Sequence, residues 1–181
     1  MKGRAQTVAT MVVGMVLGAV FAVVGLAQAG KLAPERPDAL VALGQLLEAE
    51  HRRVDILVDK GDVAQAVGVL EALREGPWPS VDEGGEAAIQ LRHDAYGRLV
   101  RLRVDNPQVD HKDAPELLAL VDEGLGDEAD LEPNPFTARL WALRGELLEE
   151  QGRDDEALDA YEKALDINRM LLEKELSGGA P

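Results

Sequence analysis

From about residue 39 to the end of the chain, apolar side chains return every three or four residues. Leu40, Leu43, Leu47, Val54 and Leu57 share one helical face, and Lys60-Gly61 supplies the basic residue and glycine that favour a helix end. Val63, Ala66, Val67, Leu70 and Leu73 predict a second helix, closed by Gly76-Pro77-Trp78-Pro79. A third begins near Glu83-Gly84-Gly85, carries Ala88, Leu91, Ala95, Leu99 and Leu102 on one face, and stops at Asn106-Pro107. Pro115 suits the first turn of a fourth, where a missing N–H costs nothing, and Leu117, Leu118, Leu120 and Val121 follow. Beyond an acidic, glycine-containing loop from Gly124 to Asp130, Phe136, Leu140, Leu143 and Leu147 predict a fifth helix. After Gly152, a sixth is marked by Ala157, Leu158, Tyr161, Ala164, Leu165, Leu171 and Leu172. Asp154, Asp155 and Glu156 stand in its first turn, where negative charge complements the helix dipole. No stretch alternates with period two between hairpin turns, so this part of the chain is all-α.

The beginning of the chain is different. Val8 to Ala27 is uncharged and interrupted only by Thr10 and glycines. As a helix rising about 1.5 Å per residue, it is long enough to span a hydrocarbon core of roughly 30 Å. Lys2 and Arg4 precede it and place the N-terminus on the cytoplasmic side. The expectation is a single-pass inner-membrane protein with its C-terminal domain periplasmic or otherwise extracytoplasmic. Ala27-Gln28-Ala29 also has the small-x-small form of a signal-peptidase site, so a cleaved, soluble periplasmic form is the alternative. Gly14 and Gly18 with Ala22 form a small-residue stripe that would support a homodimer, although glycine and alanine are common in export segments. The division expected is an export segment or anchor over 1–29, a tether over 30–38, helical repeats over 39–176, and a flexible tail over 177–181.

Composition narrows the chemistry. The chain has 181 residues with 19 Lys and Arg against 34 Asp and Glu. Because Lys2 and Arg4 are the only charged side chains before Lys31, 17 bases face all 34 acids in the remainder. Such a surface repels phosphate backbones, which excludes nucleic acid as the expected partner. The absence of cysteine removes disulfides, thiolate zinc sites and cysteine nucleophiles together.

Two stretches repeat at an offset of 91. Val54 to Gly61 aligns with Gly145 to Gly152, and Ala66, Leu70 and Glu71 align with Ala157, Tyr161 and Glu162. Self-similar helix pairs are the mark of a solenoid. Residues 138–171 resemble a tetratricopeptide repeat, with Trp141, Gly145, Leu148, Gly152, Ala157, Tyr161 and Ala164 at the family's hydrophobic or small positions. Arg144 stands where leucine is usual, and Arg169 replaces the closing proline, which predicts that the last helix runs on to about Leu176 as a cap. A degenerate first repeat occupies roughly 47–80. A middle pair over 86–134 has a long internal loop, which makes about three helix pairs in all.

The resemblance implies a non-catalytic scaffold that binds a protein or peptide along the concave face formed by the first helix of each pair. The implied groove residues are Arg139, Ala142, Glu146 and Glu149 in the last repeat, Asp94, Arg98 and Arg101 in the middle pair, and Glu48, His51, Asp55 and Val58 in the first. Solvated helix faces are the plainer explanation of the same residues. The lysine and asparagine set that clamps a C-terminal carboxylate in chaperone-binding members is absent. No metal site or cofactor is expected: His51, His93 and His111 share no i,i+4 partner, and the acidic loop lacks calcium-loop spacing. An acidic metal-binding or metal-sensing envelope protein is the alternative function, motivated by charge alone. No carboxylate pair is singled out for catalysis, since the acids are predicted to lie on wet faces.

Overall fold

A computed structural model describes residues 37–79, 81–126 and 132–178; the apolar run over 8–27 and the proposed anchor lie outside them. Six helices form: α1 (Pro37–Asp59), α2 (Val63–Glu75), α3 (Val81–Asp105), α4 (Ala114–Leu125), α5 (Pro135–Glu150) and α6 (Asp154–Gly178). There is no strand among the described residues, and no described helix is long and apolar enough to cross a membrane. Helix α1 begins two residues inside the expected tether, and α6 extends two residues into the expected tail.

Local sequence fixes the ends. At the α1–α2 and α5–α6 turns, Gly61 and Gly152 take positive φ values of 83° and 69°, a region that glycine enters without steric cost. The same hydrogen bonds close both turns: Gly61 N–H donates to Val58 O and Asp62 N–H to Leu57 O, while Gly152 N–H donates to Glu149 O and Arg153 N–H to Leu148 O. The repeat in sequence is therefore a repeat in backbone geometry. Asp113 and Glu116 form a capping box at the start of α4, with Pro115 in its first turn. Asn134 caps α5 through its Oδ1, which accepts from the N–H groups of Phe136 and Thr137. In α3 the regular helix starts after Gly85, whose φ of 60° and ψ of −165° break the turn.

The helices pack as three antiparallel pairs, α1–α2, α3–α4 and α5–α6. Helices α1, α3 and α5 lie side by side in one row, and α2 and α4 each also pack against the first helix of the following pair. The apolar side chains collect at these contacts. Leu40, Leu47, Leu91 and Ala95 join α1 to α3; Val54, Ala66, Val67, Leu70 and Leu99 join the first pair to α3 lower down. The largest cluster binds α3, α4, α5 and α6 through Val100, Val121, Leu140, Leu143, Leu147 and Leu148. Burying each such leucine stabilises the fold by about 1.5–3 kcal/mol. Close approach in the last pair depends on Gly145, where a Cβ would lie 2.7 Å from the Tyr161 ring.

One feature agrees with the sequence reading and one departs from it. The middle pair does have the longer internal connection, residues 106–113 against 60–62 and 151–153, and it is pinned from below. Arg103, only 4 % exposed, reaches Glu71 on α2 and bonds Asp110 in the loop at 2.6 Å. In α6, Leu158, Leu165 and Leu172 do not join the core; they are 60 %, 51 % and 60 % exposed. The helix continues past Arg169 as expected but ends with leucines facing outward, not with the polar face of a cap.

Candidate groove on the first-helix row

Alignment of α1, α3 and α5 brings seven of the eleven expected groove residues into contact with a side chain of the neighbouring helix. Arg98 on α3 donates to Asp55 on α1 at 2.6 Å. Arg101, one turn further along α3, forms a two-point bridge to Glu146 on α5 at 3.0 and 2.7 Å. Between them Arg139 on α5 donates to Asp94 on α3 at 3.1 Å, and the ring of His51 on α1 lies 3.6 Å from the same carboxylate. The row is therefore laced crosswise by charge, α1 to α3 to α5. Ala142 is half-buried on α5, and Glu149 turns instead toward α6, where it accepts from the Tyr161 hydroxyl at 3.1 Å.

The expectation that the acids are uniformly wet fails at Asp94, which is 8 % exposed beneath Arg98 and Arg139. Burial pushes its pKa up, against the opposing pull of Arg139 and Arg98. His51 is buried at 2 % exposure, and both ring nitrogens lack a hydrogen-bond partner among the described residues. Burial, reinforced by Arg98 and Arg139, holds its pKa down to about 3, so the imidazole is neutral at physiological pH. The 3.6 Å approach to Asp94 is therefore too long for a hydrogen bond and is not an ion pair. Arg98 and Arg139 are the charges that compensate Asp94. The exposed Arg101–Glu146 bridge contributes little to stability, about 0.2–1 kcal/mol by comparison with similar pairs.

A second polar cluster lies one turn from the groove and was not anticipated from sequence. His93 is fully buried on α3, with its Nδ1 2.6 Å from the Thr137 hydroxyl of α5; that hydroxyl also bonds the capping oxygen of Asn134. Burial, with Arg92 nearby, lowers its pKa to about 4. The signal was a histidine on the same helical phase as Ile89, Tyr96 and Val100, with an Asn-Pro-Phe-Thr cap at the start of α5. His111 is exposed at a φ of 54° in the loop before α4 and joins neither cluster.

On the opposite side, α4, α5 and α6 enclose a shallow cleft floored by Trp141, with the Lys163 ammonium 4.1 Å and the Arg144 guanidinium 5.6 Å from the ring centroid. Arg144 also bonds Asp122 at 2.9 Å, which explains why an arginine holds this position: it ties α5 to α4. Among the described residues no group of three His, Asp or Glu side chains converges as a metal ion requires, so the metal-sensing alternative rests on charge alone.

Comparison with known proteins reaches the last pair. No curated protein and no solved structure matches the chain. Residues 138–170, spanning most of α5 and two-thirds of α6, match the family model of the tetratricopeptide repeat, a helix pair that serves protein–protein interaction, and over this pair the chain is similar to that family.

Proposed function

We propose that the protein is a non-catalytic scaffold that recruits a protein partner along the α1–α3–α5 row, and that the run over 8–27 carries the helical array to the extracytoplasmic face of the membrane. The observation that carries the first part is the lateral alignment of three first helices, with Asp55, Arg98, Arg101, Arg139 and Glu146 presented on a continuous face beside a tetratricopeptide-like pair. The support for the second is the uncharged run preceded by Lys2 and Arg4. A tether would hold the groove near the membrane and raise the effective concentration of any envelope partner. The partner is a polypeptide that offers charges of both signs in register with the bridges, because each groove arginine already faces a carboxylate.

In-cell photocrosslinking from Ala142 tests this reading. A discrete protein adduct is expected from that position and is lost when Arg98 and Arg101 are both changed to glutamate. An adduct equally strong in the double variant, or none in any condition, would overturn the groove assignment. Protease added outside spheroplasts separates the localisation: the helical part should be cleaved there and protected in inverted vesicles.

A further inference from the structure

Among the described residues the array contains two internal joints, α2 onto α3 and α4 onto α5, and α1 and α6 present the unjoined halves of a third. Under the 91-residue offset, Leu158 of α6 corresponds to Val67 of α2. Val67 is 6 % exposed, within the cluster that includes Leu99 of α3. Superposing α4 on α6 at Leu117 and Ala157 makes Leu118 and Leu125 the counterparts of Leu158 and Leu165. Both are buried, at 6 % and 7 %, in the cluster formed with α5. The residues that receive the next first helix twice within the chain are thus the ones left uncovered on α6, and Leu172 and Leu176 extend the same stripe at helical spacing.

At the other end, α1 carries the complementary half. On α5 the face toward α4 includes Leu140, Arg144 and Leu147, whose counterparts on α1 are Ala49, Arg53 and Ile56. Leu140 and Leu147 are fully buried, whereas Ala49 and Arg53 are exposed, Ile56 is 48 % exposed, and Leu46, one turn before Ala49, is 51 % exposed. The acids match as well, each bonded by an arginine of the following first helix, although Arg103 lies seven residues beyond Tyr96, the α3 counterpart of Arg144. Arg144 bonds Asp122 across the α4–α5 joint, and Glu71, at the corresponding position of α2, is bonded by Arg103 of α3. The third acid of this series is Glu162 on α6, which makes no ion pair among the described residues, and the arginine that matches Arg144 is Arg53 on α1.

We infer that the α6 face of one copy receives the α1 face of a second copy, head to tail, with Arg53 opposite Glu162, so that the solenoid continues from chain to chain. Such a contact is heterologous and builds chains of copies, in contrast to a self-complementary dimer. The full-length chain, in mild detergent, tests this directly. Because the sequence contains no cysteine, Arg53→Cys on one chain and Glu162→Cys on a differently tagged chain report the contact alone; oxidation is expected to link the two tags, and neither variant links to itself. Sedimentation velocity supplies the second readout. Wild type should show species larger than a dimer that grow with concentration. Ile56→Glu and Leu165→Glu should each be monomeric, and their equimolar mixture should give a one-to-one dimer, because each chain retains one intact end. Wild type that stays monomeric at every concentration, with no disulfide formed, overturns the inference, whether a segment before Pro37 or another protein covers α1. An Ile56→Glu variant that still dimerises overturns it too, in favour of α6 pairing with itself.

Discussion

The last helix pair and the joint between the first pair and α3 solve the same packing problem with different materials. In α5–α6, glycine and alanine let two helices close on one another, and Gly145, Ala157, Ala160 and Ala164 meet leucines and the Tyr161 ring with little polar content inside. Around α1 and α3 the interior includes neutral His51 and the charged Asp94 and Arg103, the latter two compensated by charges on neighbouring elements. Apolar close packing is indifferent to pH and salt; buried titratable groups are not. The difference teaches that one end of the array is specified by shape and the other by charge, and that the two should fail under different conditions.

The sharpest way to break the comparison is to open the apolar end. Leu143→Ala removes a fully buried side chain and should cost about 2–5 kcal/mol through lost transfer and the cavity left behind. Urea unfolding should show this loss equally at pH 7 and pH 5. Gly145→Ala attacks the same contact by overpacking, since its Cβ would meet the Tyr161 ring at 2.7 Å; a loss of about 1–3 kcal/mol is expected from the melt.

The charged end is probed by acid. The folded pKa values of His51 and His93 are depressed to about 3 and about 4 from 6.5, so neither costs stability above 6.5. As pH falls below 6.5 the unfolded chain takes up protons that the folded chain refuses, and stability is lost down to the folded values. Each histidine should remove about 1–2 kcal/mol by pH 5. Asp94 acts with the opposite sign: its folded pKa is raised, so its destabilisation is present near neutrality and is relieved as pH drops. The net expectation between pH 7 and pH 5 is a fall in unfolding free energy whose slope is reduced in His51→Gln. An unchanged slope in that variant would place the acid sensitivity elsewhere.

Smaller effects sharpen the boundary between the two regions. Asn134→Ala removes the oxygen that caps α5 and receives the Thr137 hydroxyl; a loss of about 0.5–2 kcal/mol is expected, read by denaturant midpoint. A double-mutant cycle on Arg101 and Glu146 should give a coupling of only about 0.2–1 kcal/mol, shrinking with added salt. A larger coupling would mean that the bridges along the row also hold the array together.

The six helices were legible because their apolar spacing is nearly unbroken and their ends are marked by glycine, proline and capping residues. That Arg98, Arg101, Arg139 and Glu146 share one row was legible only through the repeat register: once Gly97 and Gly145 are taken as equivalent, the faces of α3 and α5 follow. Burial of Asp94 was not, because the residue lies on a polar phase of α3 and is enclosed only when α1 and α5 flank it. Arg103 offered a usable signal, an arginine four residues after Leu99 on the apolar phase, but its partners Glu71 and Asp110 come from other elements. The outward leucines of α6 misled the reading for a related reason. Periodicity identifies an apolar face, not what lies against it.

Arg103 also determines how the array responds to load. By holding a second-row helix and the 106–113 connection at once, it cross-braces the first and middle pairs, whereas the following joint is held chiefly by the largest apolar cluster, with the Arg144–Asp122 bridge at its exposed edge. A ligand that tugs along the row would therefore pull against a charged brace between the leading two modules and against greasy contact between the last two.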